Sequence, residues 1–355
     1  MRVLFTLLAA AALLPATIST AHAANFCATT APELQAALDS AASNGEDDTI
    51  RIAAGTYMPP SANGFTFYSS EAHKLALRGG HHYRLGDPCG LAFNSADLTV
   101  IDGGGANALL VASLAPGAGD LSITSMTFRN GVNAIYGNEP VRLGASIGYG
   151  GDIALERIVV RGNQATGPSI HAYSEGSVTV RNSAFVDNVV TQAYMSAAIF
   201  DSDGTSGSAQ LTFVGNTAAG NTTQLAGNFA RIKLWAKSGT LDVYNNVFCG
   251  NADHDLQINM GSGVTATVAH NDICSRGAWG GVITEVANLN VDPRFVGAGD
   301  YHLRGDSPLR DSGDNNPPGG TGSVDAGGMP RVVLGTVDIG AYEFQDYGLF
   351  ADGFE

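Results

Sequence analysis

Segments in which apolar and polar residues alternate recur along the middle of the chain, and each one follows a glycine. Examples begin at Asp120, Asp152, Ser177 and Thr240, where the sequence runs Asp-Leu-Ser-Ile, Asp-Ile-Ala-Leu, Ser-Val-Thr-Val and Thr-Leu-Asp-Val. This alternation has the period of a β-strand, so successive side chains point to opposite faces and one face is apolar. The preceding glycines lie 24 to 32 residues apart and are Gly119, Gly151, Gly176, Gly207, Gly239 and Gly263. We therefore predict a repeat protein of the all-β class.

A repeat of this length cannot bury its apolar face alone, and stacking the repeats solves that problem. Strands joined by tight glycine and asparagine turns predict a parallel β-helix, a solenoid with one strand per face in each coil. We expect the first coils in residues 24–118, with weaker strand signals at 74–80 and 98–105, and the regular coils in residues 119–291. The chain needs only one elongated domain, because a solenoid grows along one axis.

A helix is predicted before the first strand. Residues 31–42 place apolar side chains at helical spacing, with Thr30 as the N-cap and Pro32 just inside the start. A helix at this position would cover the apolar end of the solenoid, which terminal repeats require.

Asparagines recur about twelve residues after the turn glycines. Asn163, Asn188 and Asn251 share that offset, while Asn130 comes one residue early and Asn221 two residues late. Stacked asparagines in a turn hydrogen-bond along the stack and tolerate left-handed backbone, so we assign them a structural role. The neighbouring apolar residues are predicted to form inward core stacks: Val159, Phe185, Val247, Phe248 and Ile273.

The first 23 residues have the features of a signal peptide. An apolar stretch follows Met1 and Arg2, and Ala21-His22-Ala23 forms a small-x-small cleavage site. No later segment approaches the roughly 18 apolar residues that a membrane-spanning helix needs. We expect an exported protein without a transmembrane span.

The charge balance argues against nucleic acid as a partner. The chain has 33 acidic against 18 basic residues, a net charge of −15, and no cluster of Lys and Arg. In a secreted protein such a charge usually serves solubility, and less often acidic metal sites or a cationic partner.

Four cysteines in an exported protein predict disulfides. Cys249 and Cys274 follow their turn glycines by ten and eleven residues, so one turn of the solenoid would stack them about 4.8 Å apart. Cys27 then pairs with Cys89 by elimination, and this bond would join the N-terminal segment to the first coils.

The periodicity fades after residue 291. Residues 292–345 are expected to close the far end of the solenoid, and residues 346–355 form a short tail outside the fold.

Several of these segments resemble the choice-of-anchor Q family of exported bacterial proteins. The similar segments include Leu77-Arg-Gly-Gly with Cys89, Asp102-Gly-Gly-Gly, Asp292-Pro-Arg-Phe through Tyr301-His-Leu, Ser307-Pro, Asp311-Ser-Gly and Asp338-Ile-Gly-Ala-Tyr-Glu. The resemblance covers nearly the whole mature chain and implies a right-handed parallel β-helix. It also implies a sorting tail at residues 346–355 and display at the outer surface of a Gram-negative cell. The family supplies no catalytic motif, so the resemblance assigns no catalytic residue.

A second, shorter resemblance involves the repeats of polymorphic outer-membrane proteins. Phe185-Val-Asp-Asn, Phe213-Val-Gly-Asn and Phe248-Cys-Gly-Asn match the FxxN part of those repeats. The partner motif, GGA followed by an aliphatic residue, is represented only by Gly150-Gly-Asp-Ile.

A ladder of polar residues supplies the candidate site. Counting back from the turn glycines places His171, Asp201, Lys233 and Gln257 on one outward strand face, with Arg231 and Asp255 two residues earlier on their strands. Lyase chemistry on a uronic-acid glycan needs a cation for the carboxylate, a base for the C5 proton and a donor for the leaving oxygen. Lys233, Arg231, Asp201 and His171 are the candidate catalytic residues, and Trp235, Gln257 and Asp255 the candidate substrate-binding residues. The alternative is an ordinary ion ladder in which each pair contributes about 0–1 kcal/mol.

Calcium is the one cofactor that the pattern admits. Asp253 and Asp255 follow an asparagine turn and are expected near Asp187 on an adjacent coil, where two or three carboxylates with turn carbonyls supply oxygen ligands. Their spacing matches no established calcium motif, and solvated turn acids are the alternative.

Two functions remain open from the sequence. The first is a surface-displayed protein that binds polysaccharides or cell-surface glycans without catalysis, in the manner of an adhesin. The second is a polysaccharide lyase or another enzyme that degrades acidic polysaccharide. A purely structural role is the third alternative.

Overall fold

The structure is a computed structural model that describes residues 23–134, 137–144, 148–204, 209–225, 229 and 231–345, apart from the side chain of residue 278. The expected signal peptide at 1–23, except for its last residue, the turn glycine Gly207 and the expected sorting tail at 346–355 lie outside the described residues.

The described residues form one α-helix and thirty β-strands. Helix α1 is Ala31–Ala41, between strands β1 and β2. The strands up to the middle of the chain are β1 Ala24–Ala28, β2 Asp48–Ala53, β3 Gly55–Tyr57, β4 Phe65–Ser69, β5 Leu75–Arg84, β6 Asp87–Ala92, β7 Thr99–Asp102, β8 Leu110–Leu114, β9 Leu121–Arg129, β10 Val141–Gly144, β11 Ile153–Arg161, β12 Gln164–Ala165, β13 Ile170–Ser174, β14 Val178–Arg181, β15 Ala184–Val186 and β16 Val189–Val190. The remaining strands are β17 Ala198–Ser202, β18 Gln210–Val214, β19 Thr217–Ala219, β20 Thr222–Thr223, β21 Ile232–Ala236, β22 Thr240–Tyr244, β23 Val247–Cys249, β24 Leu256–Met260, β25 Thr265–Ala269, β26 Asp272–Ile273, β27 Arg276–Trp279, β28 Ile283–Val286, β29 Phe295–Gly297 and β30 Asp300–Leu303.

Nearly all of these strands pair in parallel with strands one repeat away in the sequence. One sheet has eight strands in the order β4-β8-β10-β13-β17-β21-β24-β27. A seventeen-strand sheet contains two columns: β14, β18, β22 and β25 pair in sequence in the first, and β15, β19, β23 and β26 in the second. The long strands β9 and β11 belong to both columns. One passage through the eight-stranded sheet and both columns is called a coil below. The predicted all-β chain with long parallel sheets is confirmed.

The interior between the sheets is filled by the apolar half of each alternating strand. Phe185, Phe200, Phe213 and Phe248 are fully buried there, and the ring centroids of Phe213 and Phe248 lie 5.8 Å apart in a stack. Parallel coils in register bring equivalent side chains above one another, so the predicted inward positions of Phe185, Phe248 and Ile273 are confirmed.

Val159 and Val247 are buried outside this interior, contrary to the sequence prediction. They pack in two separate apolar clusters beneath residues 292–345, Val159 with Ala341 and Val247 with Ile339. The C-terminal segment therefore covers the outer side of the second column. Alternation in the sequence cannot distinguish side chains buried under this segment from side chains buried between the sheets.

Helix α1 begins with a capping box. Thr30 Oγ1 accepts a hydrogen bond from the Glu33 backbone N–H at 3.3 Å, and Glu33 Oε2 accepts one from the Thr30 N–H at 3.2 Å. Leu34 and Leu38 are buried against Ile52 and Phe65. The predicted helix is confirmed, and among the described residues no helix has the length and apolar character needed to cross a membrane.

Asparagine side chains form two hydrogen-bonded stacks in the turns. In the first stack, the side-chain N–H of each asparagine donates a hydrogen bond to the side-chain oxygen of the next. Its members are Asn163, Asn188, Asn221 and Asn251, which are 25, 33 and 30 residues apart in the sequence. Asn130 is not in this stack, contrary to the prediction, because its side chain donates to Asp102 instead. The second stack was not predicted and contains Asn216, Asn246, Asn271 and Asn288.

Both predicted disulfides are present. Cys27–Cys89 joins β1 to β6, and Cys249–Cys274 joins neighbouring coils across 25 residues of sequence. Their Cα–Cα distances of 5.8 and 5.0 Å are normal for a disulfide. In the second pair, the parallel register of β23 and β26 brings the two cysteines within reach.

Candidate functional site

The outward side of the eight-stranded sheet is called the polar face here. Each strand contributes two outward positions, and parallel register aligns them in two rows. The first row is Thr66, Val111, Arg142, His171, Ile199, Lys233 and Gln257, and the second is Tyr68, Ser113, Gly144, Tyr173, Asp201, Trp235 and Asn259. Neighbouring residues in a row are about 4.8 Å apart.

His171, Lys233 and Gln257 lie in one row, as the sequence predicts, but Asp201 does not. It aligns with Tyr173 and Trp235, two residues further along its strand. The prediction counted back from the turn glycine, and that distance varies because seven residues separate β17 from β18 and only three separate β21 from β22. The predicted row of four residues is therefore wrong at one position, Asp201.

His171 is nevertheless in direct contact with Asp201. Its Nε2 lies 3.0 Å from Asp201 Oδ2, and its Nδ1 lies 3.6 Å from Glu139 Oε1. Burial would lower the pKa of His171, but the two carboxylates outweigh burial and raise it to about 9. Burial by itself would raise the pKa of Glu139. His171 and Arg142 outweigh burial, so the pKa of Glu139 is lower than its usual value. At neutral pH, His171 is a cation between two carboxylates.

Lys233 and Arg231 lie against aromatic rings. Lys233 Nζ is 4.7 Å from the centre of the Trp235 ring, and Arg231 Cζ is 3.6 Å from the centre of the Phe229 ring. Burial lowers the pKa of Arg231, and Asp253 opposes that shift. Both contacts have the geometry of cation–π interactions and leave the cations on the polar face.

Aromatic side chains occupy the second row at intervals. Tyr68 is 60% exposed and Trp235 39% exposed. Tyr173 lies between them, where its hydroxyl donates to Asp203 at 3.0 Å and Asp203 also pairs with Lys237 at 3.1 Å. Burial, with Asp203, raises the pKa of Tyr173 to about 12, so its hydroxyl stays protonated.

A depression lies beside Tyr68. Ser113 and Gly144 are small and separate the rings of Tyr68 and Tyr173 in the second row. A pocket of about 160 Å³ opens there, lined by Tyr68, Val111, Ser113 and Arg142 among others. Arg142 is the register partner of His171, so the pocket and the His171 cluster adjoin.

Asp255 is not on the polar face, contrary to the prediction. It is buried at the end of the first asparagine stack, where its Oδ1 accepts hydrogen bonds from the Asn251 backbone N–H at 2.7 Å and from Asn251 Nδ2 at 2.9 Å. A carboxylate in this position supports a turn and does not contact a ligand on the sheet.

In the described part of the chain, Asp187, Asp253 and Asp255 do not form a cluster of three ligating side chains. Asp187 accepts a hydrogen bond from the Tyr301 hydroxyl at 2.5 Å, and Asp253 lies 3.5 Å from its neighbour His254. Among the described residues, the clusters of three potential ligating side chains are Cys27, Asp87 and Cys89, and Cys249, Asp272 and Cys274. Both contain a disulfide, so neither offers thiolates to a metal.

Sequence analysis missed Glu139, Arg142 and Tyr173. The segment Val-Arg-Leu at 141–143 has the same alternation as Ile-His-Ala at 170–172, and aligning the two would have revealed Arg142. Glu139 lies in the connection before β10, where no repeat signal marks it. Comparison of the sequence with protein-family models and with curated proteins found no match.

Proposed function

We propose that this chain is a right-handed, single-stranded parallel β-helix that is exported and binds glycans on its polar face. The fold proposal is supported by the three columns of parallel strands, which are the eight-stranded sheet and the two columns of the seventeen-strand sheet. The C-terminal motifs that resemble choice-of-anchor Q proteins support the handedness and kinship with that family. Two disulfides fit an oxidising compartment outside the cytoplasm.

The observation that carries the functional proposal is the row of Tyr68, Tyr173 and Trp235 on a sheet surface that also holds charged groups. One side of a sugar ring presents C–H groups that pack against an aromatic face, while its hydroxyls need hydrogen-bonding neighbours. Tyrosine and tryptophan combine an apolar face with a polar atom and suit such a mixed surface. The spacing of two to three strands between the rings suits an extended chain of sugars.

Binding is favoured over lyase catalysis with His171 as the base, because His171 and Asp201 are held in an ion pair. A lyase base must be unprotonated when it takes the C5 proton. His171 is protonated at neutral pH, since its pKa is raised to about 9. Asp201 is already paired to His171 at 3.0 Å.

The test measures binding of residues 24–355 to a panel of neutral and acidic polysaccharides by affinity electrophoresis. We expect Trp235→Ala to weaken retention by roughly tenfold or more, because a stacking surface is lost. Tyr83→Ala removes an aromatic side chain that is 69% exposed on β5, outside the polar face, and should bind like the wild type. Circular dichroism verifies that both variants fold.

Two outcomes would contradict the proposal. Equal retention of wild type and Trp235→Ala on every bound glycan would place the binding site elsewhere. New unsaturated sugar ends, followed by their ultraviolet absorbance, would instead support a lyase, and Lys233→Ala should then abolish turnover.

A further inference from the structure

Among the described residues, three cations on the polar face form no salt bridge. They are Arg142, Arg231 and Lys233, although the whole chain has 33 acidic residues against 18 basic ones. Glu139 and Asp253 interact electrostatically with Arg142 and Arg231 without forming a salt bridge, so an anionic ligand can still contact each of the three cations directly.

The carboxylates of the same surface lie beside cations. Glu139 and Asp201 both face His171, at 3.6 and 3.0 Å, and Asp203 pairs with Lys237 at 3.1 Å. Lys237 balances Asp203, whereas His171 carries one charge against two carboxylates. The cations that remain available to a ligand are therefore those without a salt bridge: Arg142, Arg231 and Lys233.

Each free cation lies beside an aromatic surface. Arg142 borders the pocket that Tyr68 also lines, Lys233 lies 4.7 Å from the Trp235 ring, and Arg231 lies 3.6 Å from the Phe229 ring. An aromatic ring receives the apolar side of a sugar, and an adjacent guanidinium or ammonium group receives an anionic substituent on it. Aromatic contacts of this kind also hold the cations in place before a ligand arrives.

The cations are spread along the face. Arg142 is on β10 and Lys233 on β21, three strands apart in the order of the sheet, which corresponds to about 14 Å. This separation exceeds one sugar ring, so a single monosaccharide cannot contact both. A polymer with repeated anionic groups satisfies both sites at once and gains affinity from the second contact.

Resting on the proposed glycan-binding function, we propose that the polar face selects polysaccharides with anionic substituents, whose charged groups are bound by Arg142, Arg231 and Lys233. Carboxylate and sulfate groups share this chemistry, and the ligand pairs below distinguish them.

The experiment uses two pairs of polymers, each with one anionic and one uncharged member on the same sugar backbone. The pairs are polygalacturonate with its methyl ester, and dextran sulfate with dextran. Affinities of residues 24–355 are measured by isothermal titration calorimetry at low and at physiological ionic strength. We expect at least roughly tenfold tighter binding to the charged member of a pair, and a loss of that preference as salt rises, because exposed charges are screened. Preference within the first pair identifies carboxylate recognition, and preference within the second pair sulfate recognition.

The double variant Arg142→Gln with Lys233→Gln should lose the charge preference and keep the weaker binding of the uncharged polymers. Arg78→Gln removes an exposed cation on β5, which has no salt bridge among the described residues, and should leave the preference unchanged.

Different failures have different meanings. Binding of the charged and uncharged members with equal affinity would overturn the selectivity for anionic glycans and leave glycan binding intact. Equal loss of preference in Arg78→Gln would show a general effect of net charge and would also overturn it. Binding to none of the four polymers, nor to any member of the wider panel, would contradict the proposed function itself.

Discussion

Arg331 and Glu343 form an ion pair that is excluded from water: Nη1 lies 2.8 Å from Oε2, and each side chain is 1% exposed. The guanidinium also donates to the carbonyls of Asp338 and Gly340, and its Nε donates to Asn182 Oδ1 across 149 residues of sequence. Burial raises the pKa of Glu343, although Arg331 opposes the shift. These contacts attach the C-terminal segment to the turn between β14 and β15.

Arg331→Met should destabilise the fold by about 3–5 kcal/mol, because it removes the charged partner of the buried Glu343 carboxylate and leaves it with hydrogen bonds from the backbone N–H groups of Val333 and Asp338. Adding Glu343→Leu should recover part of the loss. Arg304→Met removes an exposed ion pair with Asp306 and should cost less than about 1 kcal/mol. Urea unfolding measures all three, and equal costs for Arg331→Met and Arg304→Met would contradict the assigned importance of the buried pair.

The strands and the helix could be predicted because local patterns determine them. Alternation after a glycine located strands such as β9, β11, β14 and β22, and Thr30 with Glu33 three residues later supplies the capping box of α1. The outer clusters around Val159 and Val247 could not be predicted, because the residues that cover them, such as Ala341 and Ile339, come from a segment without periodicity.

The candidate site was predicted in part for the same reason. Lys233 and Gln257 each lie six residues before their turn glycine, and a short connection follows each strand, so their alignment was correct. The contact between His171 and Asp201 joins different rows of neighbouring strands and depends on side-chain reach, which residue counting does not capture. Asp255 lies two residues before the outward residue Gln257, so alternation places it on the polar face. The turn before β24 instead brings its side chain to Asn251, four residues earlier, where it ends the asparagine stack.

Asn188→Ala should destabilise the protein by about 2–4 kcal/mol. The side chain is fully buried, accepts hydrogen bonds from the Asn163 backbone and side chain, and donates to Val160 O and Asn221 Oδ1. Several buried polar groups would lose their partner, at roughly 1–3 kcal/mol each before relaxation or water entry. Asn290→Ala, at an exposed turn, should change stability by less than about 0.5 kcal/mol in the same urea titration. A cost for Asn188→Ala as small as this control would contradict the structural role of the stack.

Asp272→Asn should stabilise the protein at pH 8 by up to about 3 kcal/mol. Asp272 is fully buried, and its Oδ2 has no hydrogen-bond partner among the described residues. Burial raises its pKa to about 6. Because the folded pKa is above the unfolded value, the stability that the group contributes is present below about pH 4 and is lost as the pH rises through 6.

The thermal midpoint of Asp272→Asn should therefore equal that of the wild type near pH 4 and exceed it at pH 8. Asp97→Asn changes an exposed carboxylate and serves as the control for the change in net charge. Its thermal midpoint should differ from that of the wild type by the same small amount at both pH values. A constant difference at all pH values would contradict a raised pKa for Asp272.

His171→Gln should cost stability at pH 6 and much less at pH 10. In the folded protein Asp201 and Glu139 outweigh burial and raise the pKa of His171 to about 9, against about 6.5 when unfolded. A raised folded pKa contributes stability that is complete below about pH 6.5 and is lost as the pH rises through 9, with a maximum of about 3 kcal/mol. Urea unfolding at pH 6, 8 and 10 measures the difference, with His82→Gln as the control on β5. If the cost of His171→Gln were the same at pH 6 and pH 10, the two carboxylates would not be holding a proton on His171, and this ring would again be a candidate base.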